Sequence, residues 1–211
     1  MSGFDGGKRA LNAVHGALIF GRRVEKLADA LAAAIPAGPA RVLDLGCGDG
    51  QVAVALMRRR PELVVEGVDV LVRPVTHIPV TEYDGATLPF AQAAFDHVTI
   101  VDVLHHTDDP GAVLAEAARV AARSVVVKDH LREGLLAGPV LRLMDWVGNR
   151  GHDVRLPYNY LDTEQWHKAF DRAGVSEGKR QVRLGLYPAP LDWAFGRRLH
   201  FVSRLDHANR A

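Results

Sequence analysis

The sequence predicts an α/β protein built on one doubly wound, mostly parallel sheet with helices on both faces. Short apolar runs rich in β-branched residues recur along the chain, as in strands that are covered on both sides. Segments with helical spacing of apolar residues alternate with these runs, a pattern typical of parallel strands joined by helices. The chain has 211 residues, 48% of them hydrophobic, which is enough for one buried core. We therefore expect a single domain.

The elements follow one another in a regular order through the first two thirds of the chain. An N-terminal helix is predicted at 22–34, where apolar side chains repeat at helical spacing and stop before Pro36. Strands are predicted at 41–46, 64–69, 78–83, 97–102 and 124–129. Helices are predicted at 51–60 and 111–122, and Asp109 and Pro110 suit the N-cap and first position of the second. Little room remains for a helix between 69 and 78.

The pattern changes in the last third of the chain. A helix is predicted at 138–148, and a second one follows a polar loop, with Asp162 and Gln165 as a capping box and Gly174 as its stop. Two runs, 181–186 and 200–205, alternate apolar and polar residues. We expect these runs to pair antiparallel at one edge of the sheet.

Composition excludes several classes of protein. Lysine and arginine number 26 against 25 acidic residues, so the net charge of +1 gives no field that attracts a polyanion. The only cysteine is Cys47, which forms no intramolecular disulfide and fits a reducing compartment. The sequence has no signal peptide pattern and no apolar run long enough to span a membrane. These observations predict a cytoplasmic protein without a nucleic-acid partner.

A glycine-rich turn between the first strand and the next helix is the sharpest signal. The strand ends in Asp44, and the chain turns through Gly46, Gly48 and Gly50. Glycine lets the backbone approach a ligand closely. A dinucleotide-binding fingerprint needs its third glycine at position 51, where this chain has glutamine, so a dehydrogenase is disfavoured.

Acidic residues also end the next two predicted strands. Asp69 has the spacing of a carboxylate that accepts hydrogen bonds from ribose hydroxyls. Asp44 to Gly50 resembles motif I of class I S-adenosylmethionine-dependent methyltransferases, and Asp69 resembles the acidic residue that follows the second strand in that family. Asp84-Gly85 and the stretch 88–110 resemble two further motifs of that family. The likeness spans Val42 to Val127 and is nearest to the small-molecule type 11 branch, similar to quinone-biosynthesis enzymes, whereas the last third of the chain matches no branch.

The resemblance implies a seven-stranded Rossmann-like sheet with an antiparallel edge strand and S-adenosyl-L-methionine as cofactor. It implies that Gly46 and Gly48 contact the methionine part, Asp69 the ribose and Asp84 the adenine, while the backbone at Val101 meets the ammonium group. Arg22 or Arg23 is a candidate for the cofactor carboxylate. The full set of predicted cofactor-binding residues is Asp44, Gly46, Cys47, Gly48, Asp69, Val70, Asp84, Gly85, Val101 and His106.

The predicted single domain divides into four parts. Residues 1–40 form a helical cap, 41–130 the cofactor-binding core, 131–180 a lid and acceptor region, and 181–211 the edge strands. In the lid, Trp146, Asn159 and Tyr160 either close over the acceptor or belong to an ordinary loop that fixes a helix.

Two residue types are candidates for chemistry other than cofactor binding. His105 and His106 follow the fourth strand at the carboxyl edge, where open α/β folds bind ligands. An unperturbed histidine has a pKa of about 6.5, so His105 is the candidate catalytic base, with packing or cofactor contact as the alternative. Cys47 lies between glycines where a small side chain is needed, so we interpret it as structural and not as a nucleophile.

The signatures that the sequence lacks bear on whether it binds a metal and on which acceptor it methylates. The sequence has no HExxH or paired Cys/His spacing, and no metal site is predicted. One arrangement, Asp102 with Asp129 and His130, resembles the magnesium ligands of catechol O-methyltransferases. The chain lacks the signatures of cytosine C5 and adenine N6 methylation, so the acceptor is expected to be a small molecule. The alternatives are a magnesium-assisted catechol-like O-methyltransferase and a non-catalytic S-adenosylmethionine-binding protein.

Overall fold

The computed structural model describes residues 20–148, 158–196 and 198–208. Helix α1 occupies 20–34. The other helices are α2 (Gln51–Arg59), α3 (Pro110–Val120), α4 (Ala137–Gly148) and α5 (Thr163–Arg172). The strands are β1 (Ala40–Leu45), β2 (Leu63–Asp69), β3 (Val80–Glu82), β4 (Phe95–Val101), β5 (Ala121–His130), β6 (Val175–Gln181) and β7 (His200–His207). Residues 1–19 of the predicted cap and 149–157 of the predicted lid lie outside the described residues.

The seven strands form one sheet in the order β3-β2-β1-β4-β5-β7-β6. The first five strands are parallel, and the order reverses direction beside β1, which confirms the doubly wound fold. Strand β7 runs antiparallel to both of its neighbours, β5 and β6. The carboxyl ends of β1, β2, β3, β4 and β5 therefore meet at one edge of the sheet.

Both faces of the sheet carry a hydrophobic core, as the apolar strand runs predict. Along β1, Val42 packs in the cluster with Leu31 of α1 and Leu56 of α2. The next residue, Leu43, faces the opposite cluster with Leu114 of α3. Successive side chains of a strand point to opposite faces, so one continuous apolar run supplies both cores.

The predicted strand at 181–186 is wrong, because the strand before β7 lies earlier, at Val175–Gln181. Leu184 and Leu186 are buried in the cluster beneath α1, although their segment lies outside the sheet. Most side chains of β6 are at least partly exposed, and its register shifts between Glu177 and Lys179. A strand on the outer edge needs only one row of hydrogen bonds and little apolar burial, so its sequence gives no alternating signal.

The connections on either side of β3 contain no regular helix, which fits the short crossover that the sequence predicts. The α5 capping box is present: Asp162 accepts from the Gln165 backbone, and the Gln165 side chain accepts from the Asp162 backbone. Within the described residues, none of the helices has the length and apolar character needed to cross a membrane.

Candidate active site

The glycine turn after β1 is shaped by close packing at one glycine and by open space at another. Gly46 has a φ of +73°, and a Cβ atom there would overlap the side chain of Val103. Gly48 has a φ of +59°, and a Cβ atom there would have no neighbour within 4 Å. Positive φ favours glycine at both positions. The backbone at Gly48 therefore borders open space that a ligand can approach.

The end of β2 is tied directly to this turn. The backbone N–H of Gly48 donates a 2.8 Å hydrogen bond to Oδ2 of Asp69, and the N–H of Leu71 donates one of 3.0 Å to Oδ1. A carboxylate oxygen accepts more than one hydrogen bond. The two amides thus fix the Asp69 carboxylate at the cleft and leave it able to accept from ligand hydroxyls.

Asp44 of the turn is buried, and the thiol of Cys47 is half-buried. The Thr99 hydroxyl donates a 2.7 Å bond to Asp44, whose pKa is raised to about 6 by burial. Burial, with Asp44 and Asp69 nearby, raises the pKa of Cys47 to about 12. A Cβ atom at Gly67 would overlap the Cys47 sulfur, so the thiol packs against the β2 backbone. This packing supports the structural interpretation of Cys47.

The end of β3 lies beside the end of β2. The N–H of Tyr83 donates to the carbonyl of Asp69 at 3.1 Å, and a Cβ atom at Gly85 would lie 3.3 Å from Val70. One oxygen of Asp84 accepts from the N–H groups of Ala86 and Thr87, which lowers the pKa of this exposed carboxyl. The loop that carries Asp84 and Gly85 therefore adjoins Asp69 and Val70.

A partly buried ion network occupies the end of β4. Asp102 has a φ of +57° and accepts hydrogen bonds from Lys128 and, at 2.5 Å, from Arg23 of α1. Burial would raise the pKa of Asp102, but the two cations hold it well below its usual range. Arg23 also donates to the hydroxyl of Tyr187 at 3.1 Å. Because two cations already bind Asp102, this carboxylate is poorly suited to the magnesium site considered above.

His105 lies in the single turn of 3-10 helix that follows β4, and it is 1% exposed. Its Nδ1 is 2.7 Å from Oδ1 of Asp129, and its Nε2 is 3.5 Å from Oδ2 of Asp145. Burial lowers the pKa of His105, but Asp129 and Asp145 outweigh burial and raise it to about 10. The base role remains a prediction. A histidine with this pKa carries its proton at neutral pH, so His105 has to lose that proton before it can accept one from a methyl acceptor.

Neighbouring rings and the segment after α4 surround His105. The rings of His106, His130 and Tyr160 have centroids 4.0, 4.4 and 5.8 Å from that of His105. The Tyr160 hydroxyl donates to Asp145. Asn159 donates its backbone N–H to the His105 carbonyl at 3.2 Å and its side-chain amide to that of Thr107 at 3.1 Å. The segment after α4 is therefore joined to the β4 loop.

Sequence reasoning missed two residues of this edge, Asp145 and Lys128. Both side chains are buried, and each lies in a largely apolar segment: Lys128 in SVVVKDH and Asp145 in LRLMDWVG. Charged groups are rarely buried without partners, so a charge beside an apolar run was the available signal. Beyond Tyr160, a cavity of about 520 Å³ is lined by Arg132, Gly138, Pro139, Arg142, Tyr158 and Tyr160.

Comparisons with known proteins agree on one family. A family model described as a methyltransferase domain matches residues 19–176, more than half of the chain. The chain is 34% identical over 110 residues to a 27-O-demethylrifamycin SV methyltransferase of Amycolatopsis mediterranei, covering 45% of this chain and 40% of that protein. It is 37% identical over 133 residues to an uncharacterized methyltransferase of Mycobacterium tuberculosis, covering 56% and 64%. It thus spans less than two thirds of either relative.

The fold also has close counterparts among solved structures. A S-adenosylmethionine-dependent methyltransferase from Thermotoga maritima superposes with a TM-score of 0.64 at 20% identity. The match covers 94% of this chain and 96% of that one. At this level of identity the likeness concerns the fold alone, and it confirms the Rossmann-like sheet.

Proposed function

The chain belongs to the S-adenosylmethionine-dependent methyltransferases, and we propose that it transfers a methyl group to a small-molecule acceptor at the carboxyl edge of its sheet. The family and the fold imply S-adenosylmethionine as the methyl donor. When bound, this donor supplies an electrophilic methyl group on a positively charged sulfur. The chain's own residues then have to bind the donor, orient the acceptor and exclude water.

The contact between Gly48 and Asp69 is the observation that carries this proposal. It joins a backbone turn bordered by open space to a carboxylate that can still accept hydrogen bonds. The turn follows β1, beside the point where the strand order reverses. Ligands of open α/β sheets bind at such a point. We assign Asp69 to the two ribose hydroxyls and the Gly46 and Gly48 backbone to the methionine part.

The remaining cofactor contacts follow the same edge. Val70, Asp84 and Gly85 adjoin Asp69, and we assign them to the adenosine side of the cleft. We assign Asp44 and Cys47 to stabilising the turn through their contacts with β4 and β2. Val101 ends β4, the strand next to β1, and we assign its backbone to the ammonium group. We assign His106, next to His105, to the wall between cofactor and acceptor.

His105 is the side chain that we assign to the acceptor. With the donor bound, the acceptor's lone pair would form a bond to the methyl carbon, and the carbon–sulfur bond would break with its electrons returning to sulfur. A proton released by an O–H or N–H acceptor leaves to solvent or to a base at this edge. Burial of His105 and its neighbours keeps water from competing for the methyl group.

Calorimetry with S-adenosylmethionine and its demethylated product tests the proposal. Loss of a hydrogen bond to a charged group costs about 1.5 to 3 kcal/mol, so Asp69→Ala, which removes the bonds to both ribose hydroxyls, should weaken binding by about 100-fold or more. Gly48→Val should have a comparable effect, because a branched side chain fills the open approach and strains a positive φ.

Two control variants make the result specific. Glu66→Ala removes a carboxylate of the same strand that bonds exposed Arg41 instead. Gly38→Val strains a glycine with a φ of +108° that is remote from the turn. Both controls should bind as the native protein does. Native affinity in Asp69→Ala and Gly48→Val would contradict the proposal.

A further inference from the structure

A second cluster at this edge has the composition of a metal site. His105, His106 and Asp145 each offer one ligand atom, and these atoms all lie within 4.8 Å of one another. We propose that these three side chains bind one divalent transition-metal ion beside the cofactor cleft. The set differs from the catechol-type arrangement, which uses Asp102.

The orientation of His105 suits a metal ligand. Its Nδ1 is engaged by Asp129 at 2.7 Å, so its Nε2 is directed toward Asp145. A metal-binding histidine almost always donates its other ring N–H to a carboxylate, which fixes the ring and makes the ligand more basic. Coordination at Nε2 takes the place of a proton there, since only the neutral ring binds a metal.

His106 has a buried ring nitrogen that needs a partner. Its Nδ1 lies out of contact with solvent and has no hydrogen-bond partner among the described residues. A buried polar atom without a partner costs free energy, and a bound ion would remove that cost. The rings of His105 and His106 have centroids 4.0 Å apart and are tilted by 44°. One nitrogen of each ring lies within 4.8 Å of the other, so both can bind one ion.

Asp145 reaches the cluster from the inner face of α4. The Tyr160 hydroxyl donates to its carboxylate, an outer contact of the kind that orients metal-binding carboxylates. Asp102 belongs to a neighbouring group with His105 and His130, but Lys128 and Arg23 already bind it. The set without Asp102 is therefore the better site.

The donor atoms indicate the class of metal. Two imidazoles and one carboxylate suit zinc, iron, cobalt or manganese, whereas magnesium prefers oxygen ligands only. Three protein ligands leave positions open for a further oxygen. If the proposed methyl transfer holds, that position suits an acceptor hydroxyl, whose pKa a divalent ion lowers. This role rests on the proposed function, whereas metal binding itself does not.

Metal titration of the whole chelator-treated protein tests the site. Cobalt binding followed by visible absorption, and zinc binding followed by calorimetry, should give one ion per chain. His106→Ala and Asp145→Asn should each weaken binding by at least about 100-fold, as expected when one of three ligands is lost. Asp129→Asn should weaken it by about 10- to 100-fold, the usual effect of an outer carboxylate.

His167→Ala, which removes an exposed histidine of α5, is the matched control and should bind as the native chain does. His106 is partly exposed, so its variant tests the site without removing a core residue, and circular dichroism checks its fold. Absence of stoichiometric binding in the native chain would overturn the inference. Equal affinity in His106→Ala and His167→Ala would overturn it too. Calorimetry with S-adenosylmethionine on the same samples separates this failure from failure of the proposed function.

Discussion

Arg23 of α1 donates a 2.5 Å hydrogen bond to Asp102 at the end of β4. This bond ties the N-terminal helix to the edge of the sheet where the cofactor turn and His105 lie. Asp102 also accepts from Lys128, a lysine with 0% exposure. One carboxylate thus offsets two cations, and both the stability and the shape of this edge depend on it.

We expect Asp102→Asn to lower the free energy of unfolding by about 3 kcal/mol, because it leaves buried Lys128 without a negative partner. Asparagine tolerates the positive φ of this position, so the effect comes from the lost charge. Urea denaturation measures it. The control Glu66→Gln breaks an exposed pair with Arg41 and should cost less than about 1 kcal/mol. Similar losses in the two variants would contradict the prediction.

His97 should make stability depend on pH. Its ring is fully buried and lies 2.8 Å from the Ser124 hydroxyl, and burial, with Arg123 nearby, lowers its pKa. The folded chain therefore takes up this proton less readily than the unfolded chain does, and the stabilisation is present above about pH 6.5 and lost as the pH falls below it.

Urea midpoints at pH 8 and pH 5.5 test this sign. The change in midpoint from pH 8 to pH 5.5 should be less favourable in the native chain than in His97→Asn, which keeps a polar group near Ser124, because the other titrating groups, such as His105, contribute to both proteins. An equal change in both proteins would show that His97 does not contribute.

Cys47 should be unreactive in the folded protein. Its pKa is raised to about 12, so almost no thiolate exists at pH 8. Alkylation by iodoacetamide, followed by mass spectrometry, should be slow in the native chain and rapid in urea. Cys47→Ala should keep native affinity for S-adenosylmethionine. Rapid labelling of the native thiol would refute the structural role.

Tyr160→Phe should destabilise the chain by about 1 to 3 kcal/mol, because it removes the hydroxyl that donates to buried Asp145. Thermal denaturation measures the loss. In Tyr160→Phe combined with Asp145→Ala the two losses should not add fully, since each change removes the bond between this hydroxyl and the side chain of residue 145. Additive losses would mean that the bond does not stabilise the fold.

Much of the fold is predictable because its signals are local. The β1 and β2 runs, the glycine turn and the capping box of Asp162 and Gln165 each depend on residues adjacent in the chain. Strand β6 is different, since its polar, bulged edge has no hydrophobic period and is stabilised by pairing with β7. The sequence therefore favours 181–186, whose buried leucines pack under α1 outside the sheet.

The meeting of the acidic residues at one edge of the sheet is likewise predictable, whereas their contacts with a cofactor stay a prediction. Asp69 ends β2, and Asp44 and Asp84 lie within two residues of the ends of β1 and β3. Parallel strands bring such ends to one edge. The surroundings of His105 are not predictable in this way. Asp129, Asp145 and Tyr160 come from β5, α4 and the segment after it, and only packing decides that they converge.

By itself, the sequence determined the parallel α/β sheet, the glycine turn and the carboxylates at its edge, because hydrophobic period and turn chemistry act over a few residues. The tertiary structure alone decided that His105 lies between Asp129 and Asp145. It also decided that Lys128 and Arg23 share Asp102. Finally, it left a buried ring nitrogen of His106 without a hydrogen-bond partner among the residues that the structure describes. Those relationships join residues distant in the chain, and their protonation and ligand-binding properties come from the burial and charge that packing creates.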